Sequence, residues 1–100
     1  MTVMDALSRA LLHRGWMLAT AESCTGGMIA SRCTDVSGSS NWFERGFVTY
    51  SNEAKHELLG VDSQLIEQHG AVSKEVACAM AEGDVAGMLR AYQSLKEYTA

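Results

Sequence analysis

Ser23, heading the run Ser23-Cys24-Thr25-Gly26-Gly27, has the setting that a hydroxyl nucleophile needs. An apolar stretch, Trp16-Met17-Leu18-Ala19, precedes it, and a helix-like pattern from Met28 to Cys33 follows. A strand that ends in small hydroxyl and glycine residues and turns into a helix gathers side-chain oxygens and backbone N–H groups at one exposed point. Ser23 can attack an electrophile there, once a neighbour takes its proton. The N–H groups of Thr25, Gly26 and Gly27 can hold the resulting oxyanion or a substrate phosphate. The same residues also make ordinary caps and tight turns, and both roles can hold together. Cys24 offers a thiol alternative, but none of His13, His56 and His69 stands in a pattern that would pair with it.

A second stretch, Trp42-Phe43-Glu44-Arg45-Gly46-Phe47-Val48-Thr49-Tyr50-Ser51-Asn52-Glu53-Ala54-Lys55, reads as a strand, a cap at Ser51 or Asn52, and a new helix. Together with Asp35-Val36-Ser37-Gly38-Ser39-Ser40, Gly60-Val61 and Gln68-His69-Gly70-Ala71-Val72-Ser73, the two stretches resemble the CinA C-terminal domain family. The stand-alone members of that family are nicotinamide-nucleotide amidases. The resemblance runs from about Leu7 to about Glu82.

The resemblance implies hydrolysis of the carboxamide of nicotinamide mononucleotide to nicotinate mononucleotide and ammonia, a step in pyridine-nucleotide salvage. It needs no metal or organic cofactor. Ser23 is then the nucleophile, Lys55 the base, and Tyr50 the third member of a Ser–Tyr–Lys arrangement. Physical chemistry makes Lys55 plausible in its own right. It falls in the first turn of a helix, where the dipole disfavours a cation, and burial acts the same way. A solvated lysine is the plain alternative. Tyr50 either relays a proton or is a strand-end aromatic with a wet hydroxyl. Glu22 either orients Lys55, binds a ribose hydroxyl, or is an ordinary strand-end carboxylate.

These groups need a scaffold to position them. Leu7, Ala10, Leu11 and Leu12 predict a helix over Asp5 to Arg14, stopped at Gly15. Trp16 to Ala21 predicts a buried strand, Gly27 to Thr34 a helix, and Ser37 to Ser40 a loop. Trp42 to Tyr50 predicts a second strand, with Glu44-Arg45-Gly46 marking a bulge or ragged start. Helices are then expected over Glu53 to Leu59, Ser63 to His69, and Ser73 to about Leu89, the last capped by Ser73. Cys78 is expected in the core, on the face of Val76 and Met80. This alternation predicts an α/β fold, a three-layer α/β/α domain.

The family domain continues through further strands and a glycine-rich Ser/Thr-Gly-x-x-Gly-Pro loop that nothing here matches. The reading is therefore of residues 1–82 as the N-terminal part of an amidase domain and 83–100 as a divergent tail, an apparently truncated form. With later strands missing, Trp16, Leu18, Phe47 and Val48 are expected to be only partly buried. The rival reading is a catalytically inactive fragment acting at most as an interaction module.

Composition bounds the rest. One hundred residues, 47% apolar, suit one small domain with an adequate core. A net charge of −4 with singly scattered Lys and Arg argues against a nucleic-acid surface. No apolar run approaches the ~20 residues that span a bilayer, and Met1 to Asp5 shows no secretory leader. Cys24, Cys33 and Cys78 fit neither a disulfide framework nor a zinc site, which suits reduced thiols in a cytoplasm. The expected partner is a small nucleotide, with no nucleic acid and no membrane. The resemblance implies a homo-oligomer, and open sheet edges favour association further.

Overall fold

In the computed structural model, which describes residues 2–83, most helices begin where a side chain can stand in for the missing turn. α1 (Val3–Arg14) opens on a capping box: the Asp5 N–H donates to the Thr2 hydroxyl and the Thr2 N–H to the Asp5 carboxylate, both at 3.1 Å. It stops at Gly15, whose φ of 66° is the left-handed turn the sequence predicts there. α3 (Asn52–Leu59) is capped by the Ser51 hydroxyl, α4 (Ser63–His69) by the Asp62 carboxylate, and α5 (residues 74–83) by the Ser73 hydroxyl. α2 (Met28–Thr34) is the exception. Its N-cap is Gly27, which has no side chain to offer.

β1 (Leu18–Glu22) and β2 (Phe43–Val48) pair in parallel. Both are shorter than the sequence predicts. Trp16 N–H still donates to Leu11 O, at 3.0 Å, to finish the stop of α1. The Arg14 guanidinium lies 5.0 Å from the Trp16 ring. Trp16 and Met17 therefore stay on the surface, outside the strand. The bulge foreseen at Glu44 is present: Leu18 faces Phe43, yet Ala19 faces Arg45. The extra residue lets Phe43 and Gly46 share a face despite their odd spacing.

That face packs on α1 and α2 around Leu11, Cys33 and Trp42, with Leu7, Leu18 and Phe43 beside them. Ala21 and Phe47 point the other way, into a core of Leu59, Val61, Ile66, Val76 and Met80. The sheet thus lies between helix layers, an α/β fold with two strands among the described residues. Phe47 is buried rather than half-open, while Val48 is half exposed.

Two expectations need correction. Ser39–Asn41 forms a short 3-10 turn that begins within the predicted loop and runs one residue past it. Cys78 is exposed, because it lies about 200° around α5 from the buried Val76, whereas Met80, four residues on, returns to the core. The end of the expected last helix and the divergent tail lie outside the described residues. No helix among the described residues is long and apolar enough to cross a membrane.

Gly46 sets how closely α2 approaches the sheet. A Cβ there would lie 2.8 Å from Thr20 Oγ1 and 3.2 Å from Ala30 Cβ. Gly46→Ala is therefore expected to destabilise the chain by roughly 1–3 kcal/mol, the usual cost of overpacking. A denaturant midpoint unchanged from the parent would contradict this contact.

Candidate active site

Glu22, the last residue of β1, organises the turn that carries Ser23. Its side chain is only 2% exposed. Oε1 accepts the Thr25 hydroxyl at 2.7 Å and the Ile29 N–H at 2.9 Å, and Oε2 accepts the Ala30 N–H at 2.9 Å. The first turn of α2 lacks a capping side chain from Gly27, so this carboxylate supplies the cap from across the turn. Burial pushes its pKa up, but the N–H groups of Ala30 and Ile29, the Thr25 hydroxyl and the Gly27 N–H outweigh that and hold it below 4.5.

The Glu22–Thr25 bond closes a tight loop around Ser23 and Cys24. Cys24 is driven to φ 72°, a left-handed conformation that costs a non-glycine residue about 1–2 kcal/mol. Gly26 and Gly27 follow at φ 64° and 98°. Strain of this kind, held in place by surrounding bonds, is a frequent companion of functional turns. Ser23 Oγ lies 3.9 Å from Cys24 Sγ. The N–H groups of Cys24, Thr25 and Gly26 meet no protein acceptor among the described residues.

The candidate residues are therefore placed unequally. Ser23 and Thr25 line a cleft of about 240 Å³ together with Cys24, and Ala71, Val72 and Met80 are also on its walls. Gly26 and Gly27 do not line it. The Gly27 N–H faces Glu22, so this helix end is already occupied by the protein's own anion. Glu22 accordingly faces α2 and not Lys55.

Tyr50 and Lys55 also stand outside that cleft, but the sheet brings their segment to the same edge. Glu22 O accepts both the Thr49 N–H at 2.8 Å and the Thr49 hydroxyl at 3.2 Å. Ser23 follows the first of these residues and Tyr50 the second, at the carboxyl ends of parallel strands where open α/β sheets bind ligands. Tyr50 is 82% exposed. Lys55 is 2% exposed, in the first turn of α3, with Nζ 3.4 Å from Asn52 Oδ1. No carboxylate among the described residues lies within ion-pair distance of it. The solvated lysine is thus excluded, and a buried amine takes its place.

A larger recess, about 510 Å³, lies between α3 and α4, with Glu53, Glu57, Glu67 and His56 on its walls. Three carboxylates would repel an anionic nucleotide, and it holds no nucleophile. The His56 ring is tied by Nδ1 to Val61 O at 2.8 Å.

Glu22 is the residue that sequence reasoning undervalued. The available signal was a helix opening on Gly26-Gly27 with no capping side chain, which requires an acceptor from elsewhere. Its cap makes a testable demand on pH. A carboxylate whose folded pKa is lowered contributes stability that is complete above its unfolded pKa and is lost as pH falls through the folded value. The parent chain should therefore lose stability in acid more steeply than Glu22→Gln, which in turn should be the weaker of the two at neutral pH. Parallel denaturation curves for the two proteins from neutral pH to pH ~3 would contradict this role.

The CinA C-terminal domain family model matches residues 1–92. Nicotinamide-nucleotide amidohydrolase PncC of Enterobacter agglomerans is 60% identical over 77 residues, covering 77% of this chain and 47% of that protein. The PncC protein of Escherichia coli K12 is 54% identical over 83 residues, covering 83% of this chain and 50% of that protein. The solved competence damage-inducible protein A of Klebsiella pneumoniae superposes with a TM-score of 0.79 at 38% identity, covering 83% of this chain and 52% of that one. The chain spans about half the length of these relatives.

Proposed function

Because the chain belongs to the CinA C-terminal domain family, we propose that it hydrolyses the carboxamide of nicotinamide mononucleotide, releasing ammonia and nicotinate mononucleotide. The observation that carries this reading is the strained, unburdened turn around Ser23 at the same sheet edge as the segment bearing Tyr50 and a buried Lys55. The amidohydrolase names of relatives at 54–60% identity support it.

In this reading Ser23 Oγ attacks the amide carbon while its proton passes, by way of the Tyr50 hydroxyl, to the Lys55 amine. The oxyanion accepts the free N–H groups of Thr25 and Cys24. The C–N bond then breaks, and the proton on Lys55 leaves with ammonia. Water attacks the Ser23 ester, gives a proton to Lys55, and releases the carboxylate as Ser23 recovers its hydroxyl. No step calls on a metal or cofactor. Incubation with nicotinamide mononucleotide should yield ammonia and a carboxylate product in equal amounts; neither product appearing would refute the reading.

One observation favours a second reading, self-association. Among the described residues the sheet has two strands with open edges, and Trp16, Met28 and Val48 are half exposed or more. Each large apolar side chain left uncovered forgoes about 1.5–3 kcal/mol, against the ~5–15 kcal/mol of a whole domain. A homo-oligomer would recover part of this. The melting temperature should then rise with protein concentration; a concentration-independent melt from a monomer would exclude it.

A further inference from the structure

We propose that Thr49 is a positioning residue for the reaction: its N–H and hydroxyl together clamp Glu22 O and hold the Ser23 turn in register with the segment of Tyr50 and Lys55. The inference rests on the amidase reading and names the side chain that keeps nucleophile and base in register.

The strand pairing ends at Glu22 and Val48. Past that pair the chain enters the Ser23 turn on one side and runs toward α3 on the other. Among the described residues, two bonds join these segments beyond the last strand pair. Glu22 O accepts the Thr49 N–H at 2.8 Å and the Thr49 hydroxyl at 3.2 Å. Both lone pairs of that oxygen are thereby used. Glu22 O and the Ser23 N–H belong to one planar peptide unit, so fixing the oxygen fixes the plane from which Ser23 departs. Both donors come from one residue, so they orient Thr49 as well, and Tyr50 follows it directly.

The two bonds differ in what they require. The N–H bond continues the strand ladder, and any residue but proline could make it. The second bond needs a hydroxyl. Thr49 is 3% exposed, and valine, with the same branched shape, would fill that space. Burial alone does not bring a threonine of this sheet a partner. Thr20, on β1, is buried with its Oγ1 unpartnered among the described residues.

Removing the Thr49 hydroxyl leaves Glu22 O with the Thr49 N–H, so no buried backbone group is orphaned and the fold survives. The peptide plane is then free to swing about the remaining bond. Proton transfer between Ser23 and the Lys55 side tolerates little of this, since a misplacement of ~1 Å costs on the order of 10²-fold.

Thr49→Val and Thr49→Ser test the clamp. NMR reads it without turnover: the Glu22 carbonyl and Ser23 amide resonances should move in Thr49→Val and stay near the parent positions in Thr49→Ser. In ammonia release from nicotinamide mononucleotide, Thr49→Val should lower kcat at least about tenfold, with KM within about twofold of the parent. Thr49→Ser should restore most of the rate. In a Lys55→Ala background Thr49→Val should cost nothing further, because there is no base left to align. Four results would overturn the proposal: Glu22 and Ser23 resonances unmoved in Thr49→Val, parent kcat in Thr49→Val, Thr49→Ser as slow as Thr49→Val, or an equal loss when Lys55 is absent. A parent protein that releases no ammonia would refute the amidase reading alone, and the resonances would then decide the clamp.

Discussion

Ser23→Ala is expected to abolish ammonia release from nicotinamide mononucleotide, lowering kcat/KM by at least ~10³-fold, while the fold stays intact. A nucleophile and its base act as a unit, so deleting the nucleophile removes most of what the pair contributes. The structural cost is small because, among the described residues, the hydroxyl's one hydrogen-bond partner is Cys24 Sγ, at 3.9 Å. A change within about 0.5 kcal/mol of the parent stability is expected. Cys24→Ala is the matching control. Its thiol lies beside Ser23 at a strained position, yet the account gives it no chemical role, so activity should persist. The opposite pattern, with Cys24→Ala inactive and Ser23→Ala active, would transfer the reaction to the thiol.

Lys55→Arg is expected to be nearly as damaging as Lys55→Ala, each costing at least ~10²-fold in kcat, the contribution typical of a positioned base. Guanidinium stays protonated at working pH, so it cannot receive a proton from Ser23. Its bulk also matters at a side chain only 2% exposed, and the melting curve of each variant separates lost folding from lost chemistry. A well-folded Lys55→Arg protein keeping most of its activity would mean that charge alone, and not proton transfer, is what position 55 supplies.

Much of the scaffold is legible from local chemistry. Gly15, Ser51 and Ser73 mark helix ends because their roles depend on one residue's own φ or hydroxyl. The bulge at Glu44 is readable because Glu44-Arg45-Gly46 interrupts the strand pattern. What escapes the sequence depends on distance along the chain. Glu22 caps a helix through N–H groups seven and eight residues ahead, a spacing outside any local capping rule. The burial of Lys55 and the exposure of Cys78 follow from how α3 and α5 sit against the sheet. The Ser23 turn was visible as a motif, but its emptiness, created by Glu22 taking the helix end, was not.

The proposed mechanism requires Ser23 to form an ester with the substrate's acyl group during turnover. Acid-quenched turnover of nicotinamide mononucleotide, followed by peptide mass mapping, reads this directly. The expected result is the acyl mass on the peptide containing residues 15–32, fragmenting to Ser23 and absent from Ser23→Ala. Turnover with no adduct there even when hydroxylamine is added to intercept it as a hydroxamate, or an adduct that maps to Cys24, would contradict the account.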